Sequence, residues 1–541
     1  MQNYNIVGTI NCDFFKDNWI DLYTDLAKLK KTEYAIDERI IISSSFDYYS
    51  QKTHGIILQS LQVIINQLDI SNYFIIFQTT NPNIKEEYKH VLKNYSSDTV
   101  PFTIEIVKGV FEKQSSKSIK PFVKFFFDEK IHTLTNEQKE LLYKNKLFCL
   151  APWLSLTIGT DNNVRPCCEY KGSLGSSNLK SLKEIWNDKE LKTLRYNMLN
   201  NKLVSGCSAC YKMESLGKDS MRNTYNREFA KHINKVNNTL KDGTLEDFNL
   251  AYIDPRFNNL CNLSCKMCGP SSSSSWHKPA KDLGLFSKNY TSAFVSAGRH
   301  KKDIYEQIIQ HIDSLEKIYF AGGEPLLIDD FYRVLDVLDK AEKHDIKLAY
   351  NTNLTTMQSG KNNIFDAWKN FKNISVYASL DAEEERAAYL RSGTIWKNVI
   401  SFRKNMIELR PDINFTIKPV VSIINSLHLP DFHKNWVEQG LINPEDFSLG
   451  MLYEPSYMRI DTAPELLREM IIERYNQHID WLTPLDKLGR ATQDFKGVVN
   501  QLQNKIDFDR ENFWSNINVQ DNYYNIKLLD VFPELECLTC N

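Results

Sequence analysis

The chain has no surplus of either charge. Its 541 residues hold 66 Lys and Arg against 68 Asp and Glu, a formal net charge of −2. That removes the electrostatic case for nucleic acid, which is bound through clustered positive charge. No stretch reaches the roughly 18 uninterrupted apolar residues of a membrane span. The opening MQNYNIVGTINCDFFKDNW carries Asp13 and no basic start leading into an apolar run, so no secretory leader is expected and the protein reads as cytoplasmic. A phosphate loop of the Walker or dinucleotide type is missing. So are internal repeats and, outside Ser271–Ser275, low-complexity runs. What remains is 42% hydrophobic, 25% charged and 12% aromatic residues, the composition of a folded, soluble chain. Its length suggests about three or four units.

Eleven cysteines are present. In a reducing compartment they read as metal ligands or redox groups more readily than as a disulfide framework. Cys12 stands alone, a core residue by expectation, whereas the others cluster at 149, 167, 168, 207, 210, then 261, 265, 268, then 537 and 540. Packing imposes no such mutual spacing.

Strand and helix patterns alternate over 1–110 (NIVGTI, RIIISSS, YFIIFQT and FTIEIVKG, with NWIDLYTDLAKL, IILQSLQVIINQL and IKEEYKHVLKNY between), which predicts an α/β recognition or docking domain. Residues 111–145 form a Lys-rich linker ending in a short helical stretch. Within 146–240, WLSLTI and NNVRPCCEY predict a hairpin, and SLKEIWNDKELKTLRYNMLNN a helix opened by a Ser181–Glu184 capping box. Over 245–455, LAYIDPR, KIYFAGG, KLAYNTN, ISVYASLD, FTIKPVVSI and FSLGMLYE predict six strands alternating with helices, a partial (β/α)6 barrel. Residues 456–541 read as a helical C-terminal region. The fold class is therefore α/β.

CNLSCKMC places Cys261, Cys265 and Cys268 on the loop after the first barrel strand, where barrels of parallel strands keep their chemistry. Three thiolates on one loop can hold three corners of a cubane iron cluster and leave the fourth iron without a protein ligand; a structural zinc site normally has four. The next strand ends in Gly322-Gly323-Glu324, which permits close backbone approach and places a carboxylate to receive an ammonium group. The third ends in Asn351–Asn353, and the fourth places Ser379 and Asp381 at the same rim, with Arg391 beyond.

Together, CNLSCKMC, AGGEP, NTN and SLDA resemble the core of the radical S-adenosylmethionine (radical SAM) enzymes. The resemblance implies a [4Fe–4S] cluster on Cys261, Cys265 and Cys268 that chelates S-adenosylmethionine. Met267, Gly322, Gly323, Glu324, Asn353, Ser379, Asp381 and Arg391 would be cofactor contacts. Reductive cleavage would yield a 5′-deoxyadenosyl radical, with a flavodoxin or ferredoxin as the electron source.

The segment from Cys149 to Arg222 resembles the twitch module, a shortened SPASM domain holding an auxiliary iron–sulfur cluster, here on Cys149, Cys167, Cys207 and Cys210. A four-cysteine zinc site is the rival on spacing alone. Two departures stand out. Asn162 replaces the usual hairpin glycine, and the module precedes the core, as in proteins that share the Pro152-Trp153, Cys167-Cys168, Ile185-Trp186 and Leu194-Arg195 landmarks. Cys168 is a spare ligand or a buried thiol, and Cys537 with Cys540 either completes a cluster or belongs to a frayed tail.

The expected function is hydrogen abstraction from a ribosomally made peptide. The alternatives are a radical SAM dehydrogenase or epimerase acting on a sugar, nucleoside or other small metabolite, and a non-catalytic iron–sulfur or zinc protein. The serines after Gly269-Pro270 are expected to cap the next helix, with Trp276 its first apolar anchor.

Overall fold

The computed structural model describes residues 5–11, 38–45, 73–79, 102–106 and 134–539, apart from 216–219, 286–293, 298–303, 487–488 and 504–505. It divides into two units, Met1–Lys139 and Glu140–Asn541. No helix among the described residues is long and apolar enough to cross a membrane.

In the first unit, the β-branched runs become β1 (Asn5–Asn11), β2 (Glu38–Ser45), β3 (Tyr73–Thr79) and β4 (Phe102–Ile106), a parallel sheet in sequential order. Parallel neighbours need connections of about a dozen residues or more, and the helical patterns of the sequence occupy those intervals. The three expected helices, Cys12 and residues 111–133 of the linker lie outside the described residues.

The second unit is built on one eight-stranded sheet. Its hairpin part is β5 (Ser155–Ile158), β6 (Asn163–Arg165) and β7 (Gly175–Ser176). Its barrel part is β8 (Tyr252–Pro255), β9 (Lys317–Phe320), β10 (Lys347–Thr352), β11 (Asn373–Ala378) and β12 (Asn414–Ile417). The spatial order is β12-β11-β10-β9-β8-β5-β6-β7. β5 pairs in parallel with β8, Leu156 opposite Ile253, so the cysteine hairpin continues the barrel sheet without a break.

Period-2 alternation sorts the barrel side chains. Ile318, Phe320, Leu348, Tyr350, Val376 and Ile417 are fully buried. Phe320 meets Phe331, and Tyr350 meets Trp368, both rings from the helical layer. The alternate residues, among them Tyr319, Asn351, Ser375 and Tyr377, stay partly accessible on the other face.

Two expected elements are divided. FTIKPVVSI becomes β12 and a separate pair, Val420–Val421, because Pro419 has no N–H for the ladder. Val420–Val421 pairs in parallel with Gly450–Met451, and of the rest of the sixth strand only Phe447 forms a bridge, parallel to Ile417. SLKEIWNDKELKTLRYNMLNN forms two helices, Leu182–Trp186 and Lys189–Leu199. The Ser181–Glu184 capping box is present in full, and Asp188 opens the second helix by accepting from the Lys189 N–H.

Helices Glu465–Leu482, Arg490–Gln501 and Arg510–Tyr524 follow the barrel. The tail is not frayed over its described part: Phe532, Leu535 and Leu538 are fully buried, and the Trp514 indole N–H donates to the Leu538 carbonyl at 3.1 Å. Cys537 lies in the turn Pro533–Leu538, half-buried; Cys540 lies outside the described residues.

Candidate active site

β8 delivers the chain to the cysteine loop, where Cys261 is half-buried, Cys265 buried and Cys268 exposed. A two-residue antiparallel ladder sets Arg391 opposite Cys265 and Ser392 opposite Ser264. The serine block ties the loop internally. Ser275 Oγ donates to the Cys261 carbonyl at 2.7 Å, Ser273 Oγ to the Leu263 carbonyl at 2.6 Å, and the Trp276 indole to the Cys265 carbonyl at 2.9 Å. Ser273 also caps the turn Ser274–Trp276, and Trp276 is buried.

The two glycines of AGGEP are demanded by this loop. A Cβ on Gly323 would lie 2.1 Å from the Leu260 carbonyl oxygen, and Gly322, at φ +113°, would place one 3.0 Å from that of Asn258. Both distances are below or at the limit of real carbon contacts, so the backbone of the second strand end rests on the backbone leading into Cys261. The Glu324 N–H then donates to the Leu260 carbonyl at 2.6 Å.

Glu324 is 1% exposed. It accepts from Thr352 Oγ1 and the Asn353 N–H, each at 2.7 Å, and from the Leu326 N–H at 3.2 Å. A carboxylate has about four acceptor sites, so one remains for a further donor. Burial outweighs these bonds and pushes its carboxyl up to about 7. Asn353 extends the chain of contacts: its Nδ2 donates to Asn262 Oδ1 at 2.9 Å, and Asn262 Nδ2 donates to Thr355 Oγ1 at 2.8 Å. Asn262 is the residue after Cys261, so the third strand end holds the loop directly.

Asp381 is fully enclosed, accepting from Arg391 Nε at 2.6 Å and from the Val420 N–H at 2.8 Å. It therefore orients Arg391, whose Nη1 reaches Cys265 Sγ at 3.7 Å. The Cys268 thiol is lowered below its ordinary range, first by a hydrogen bond with Cys265 and then by the Arg391 charge. Ser379 Oγ reaches Asn351 Oδ1 at 3.4 Å. Met267 is half-buried beside the loop cysteines.

Sequence reasoning missed Lys266 and its partners. Lys266, between Cys265 and Met267, is 4% exposed; its Nζ donates to Asp521 Oδ1 at 3.2 Å and lies 4.1 Å above the Tyr389 ring. The Tyr389 hydroxyl and the Leu528 N–H also donate to Asp521, at 2.8 and 2.7 Å. Nearby, Ser264 Oγ and the Tyr524 hydroxyl are 2.8 Å apart. A helix-face aspartate in the C-terminal region carried no sequence signal for this role.

In the hairpin module, Cys149, Cys167, Cys207 and Cys210 line one cavity together with Tyr211 and Arg222. Burial raises all four thiols, Cys207 to about 12. Such a set holds thiolates only when a bound metal group supplies compensating positive charge, and these four are the residues that would hold one. Among the described residues, no three His, Cys, Asp or Glu side chains form a single-ion site. Arg222, a second residue missed from sequence, forms a two-pronged pair with Glu214 at 2.8 and 2.5 Å and donates to the Phe148 carbonyl beside Cys149 at 3.0 Å.

The module's landmarks meet at Arg195, which is fully buried. It donates to the Pro152 and Trp186 carbonyls, both at 2.9 Å, with its guanidinium 4.4 Å from the Trp186 ring centroid. Asn162 holds the hairpin at φ +64°, in the left-handed region that asparagine tolerates. Cys168 is not among the residues lining this cavity. It is exposed, not a buried thiol, and feels the charges of Asp254 and Arg256 on and beside the barrel strand β8.

Residues 256–424 match the radical SAM superfamily, and residues 149–211 match SPASM, the iron-sulfur cluster-binding domain. The chain therefore carries a radical SAM domain with a SPASM module ahead of it. Comparison with curated proteins returns no match. Among solved structures, native anSMEcpe with bound AdoMet and Cp18Cys peptide is similar at 16% identity with a TM-score of 0.30, over 42% of this chain and 58% of that one. Native anSMEcpe with bound AdoMet is similar at 15% identity and TM-score 0.30, over 42% and 59%. This chain thus spans less than two thirds of the length of those structures.

Proposed function

We propose that this enzyme abstracts a hydrogen atom from a peptide substrate held against the open face of the barrel. Cys261, Cys265 and Cys268 are the ligands of a [4Fe–4S] cluster, which with S-adenosylmethionine supplies the 5′-deoxyadenosyl radical. Glu324 and the Gly322–Gly323 backbone hold the cofactor's amino group, and Arg391 faces its carboxylate. Met267, Asn353 and Ser379 complete the contacts, while Asp381 orients Arg391. Cys149, Cys167, Cys207 and Cys210 hold the auxiliary cluster.

The observation that carries this reading is the hydrogen-bonded series from Cys261 through Asn262 and Asn353 to Glu324. It joins the cysteine loop to two strand ends and leaves one acceptor site free on a buried carboxylate. For a peptide, support comes from the unit Met1–Lys139: among its described residues β1 and β4 are edge strands with one neighbour each, and an extended peptide can add to such an edge.

The test is anaerobic reconstitution with iron and sulfide, chemical reduction, and addition of S-adenosylmethionine. The expected result is 5′-deoxyadenosine; its absence at full cluster occupancy overturns the reading, and zinc in place of iron at the second site overturns the auxiliary assignment. Short peptides encoded beside the gene are then offered as substrates. A mass change in one supports the peptide assignment, whereas turnover of a sugar or nucleoside alone refutes it.

A further inference from the structure

One cleft of the second unit is used by neither cysteine site. It holds about 410 Å³, part of it open to solvent, where three elements meet: the helix Ser208–Ser215, which carries Cys210; the strand Gly450–Met451 with the turns that follow it; and the end of the helix Arg490–Gln501. Its walls lead to both sites. Met213 lies one helical turn past Cys210. Met451 pairs with Val421, and the neighbouring Val420 donates its N–H to Asp381 at 2.8 Å, the carboxylate that orients Arg391. No residue of the cysteine loop and no strand-end group of AGGEP, NTN or SLDA lines the cleft.

Its floor is apolar, made by Met213, Met451, Leu452 and Ile460. The two thioethers are unbranched and adapt to different occupants. The polar part is built on Asp461, which is 3% exposed. Its carboxylate accepts from Arg459 Nε at 3.0 Å and Nη2 at 2.5 Å, and from Gln501 Nε2 at 3.0 Å. Paired with an arginine, that carboxylate only accepts, so the glutamine turns its NH2 toward Asp461 and keeps Oε1 for another partner. Among the described residues neither Arg459 Nη1 nor Gln501 Oε1 has one. Arg459 Nη2 and Gln501 Nε2 share Asp461 Oδ2, so a turn and a helix end set one unspent donor and one unspent acceptor beside each other. The charge of Arg459 is matched by Asp461, and Lys212, the other cation of the lining, is exposed and hydrated. The cleft therefore asks for a neutral group rather than an anion.

We infer that this cleft binds one extended residue of a peptide substrate, its carbonyl accepting from Arg459 Nη1, its N–H donating to Gln501 Oε1, and its apolar side chain resting on Met213 and Met451. In an extended chain the N–H and C=O of one residue point to the same side, which is why two facing residues of an antiparallel pair exchange both bonds. A sugar can offer hydroxyls to the polar pair but has no side chain for the apolar floor. The inference rests on the peptide reading given above and assigns the cleft to a residue flanking the one that reacts. Asp461 is then a positioning residue: it sets the arginine and the glutamine and touches no substrate.

The probe is N-acetyl-leucine N-methylamide with a diazirine in its side chain. Cluster-loaded enzyme is irradiated with it anaerobically, and the sites of attachment are mapped by mass spectrometry. Attachment is expected at Met213 and within 451–460. Two competitors without the diazirine are then compared: the parent N-methylamide, and its analogue in which an ester oxygen replaces the leucine N–H. The ester should be roughly 3- to 10-fold the weaker competitor, the worth of one hydrogen bond. Q501M should make the two equal by weakening the amide alone. R459K keeps a cation for Asp461 without the fixed second donor and should weaken both together. Attachment only elsewhere, equal competition by amide and ester in the wild type, a preference that survives Q501M, or no change in R459K overturns the inference. Stronger competition by N-acetyl-leucine, the free acid, assigns the cleft to a carboxylate and also overturns it. Formation of 5′-deoxyadenosine is measured on the same preparation. Its absence would refute the radical reading and leave the competition result standing.

Discussion

At Cys261, Cys265 and Cys268 all three sulfurs belong to one eight-residue loop, and the rest of the fold comes to them: Gly323 from below, Asn353 from the side, Arg391 across a short ladder and Asp521 from the C-terminal helix. In the SPASM module the sulfurs arrive from three separate places, and the fold closes around the cavity between them. The electrostatics differ accordingly. Arg391 reaches a loop sulfur, and the Cys268 thiol is lowered. Arg222 is held by Glu214 and backbone carbonyls, and all four module thiols are raised by burial. The loop has an exposed sulfur, suited to a group that must also meet a cofactor. Three of the four module thiols are buried, suited to a group enclosed by protein.

The sharpest way to separate the two is to empty one at a time. C265A should take 5′-deoxyadenosine to background while bound iron falls from about eight to about four atoms per chain. C207A should cost the same iron and leave cofactor cleavage in place. Loss of cleavage in both variants would show that the sites do not work independently.

A smaller effect is expected from the loop's outer support. D521A leaves the Lys266 ammonium buried without its partner, a change that costs about 3–5 kcal/mol. Thermal unfolding should begin several degrees lower, and iron should be lost from the loop before the module. Equal loss from both would deny that Asp521 serves the loop alone.

The smallest effect is a single proton. In the ligand-free enzyme the Glu324 carboxyl is pushed up to about 7 by burial, so below that pH it is largely protonated. An ammonium group bound beside it favours the ionised form and lowers that value. Binding of S-adenosylmethionine should then release up to one proton between the ordinary carboxylate value of 4.5 and about 7. Affinity should rise with pH through that window and level off above it. Calorimetry in buffers of different ionisation heat checks this, and E324Q should abolish the proton release.

Local signals were legible in the sequence and distant partners were not. The period-2 runs marked β8 to β11, because alternation is imposed by the pleat itself. Asn162 and the Ser181–Glu184 box were readable because each acts within a few residues of its own position. The break at Asp188 was missed: a helical pattern continues across it, and only the competing cap interrupts the backbone. Pro419 was visible, yet two strands joined by one proline read as one run. At the site, the strand-end motifs could be found because each is short and placed by topology. Arg222, Asn262, Lys266 and Asp521 are ordinary polar residues until the fold brings them together with partners distant in the chain.

The contact between Lys266 and Asp521 spans 255 residues. On the ribosome, at about 5–20 residues per second, the cysteine loop therefore emerges roughly 10–50 s before the aspartate that neutralises its lysine. Through that interval the loop has its sulfurs but not its last support. A cluster delivered early would meet an open loop, and the C-terminal helix would then close over it, so the order of synthesis leaves a period in which the site can be loaded.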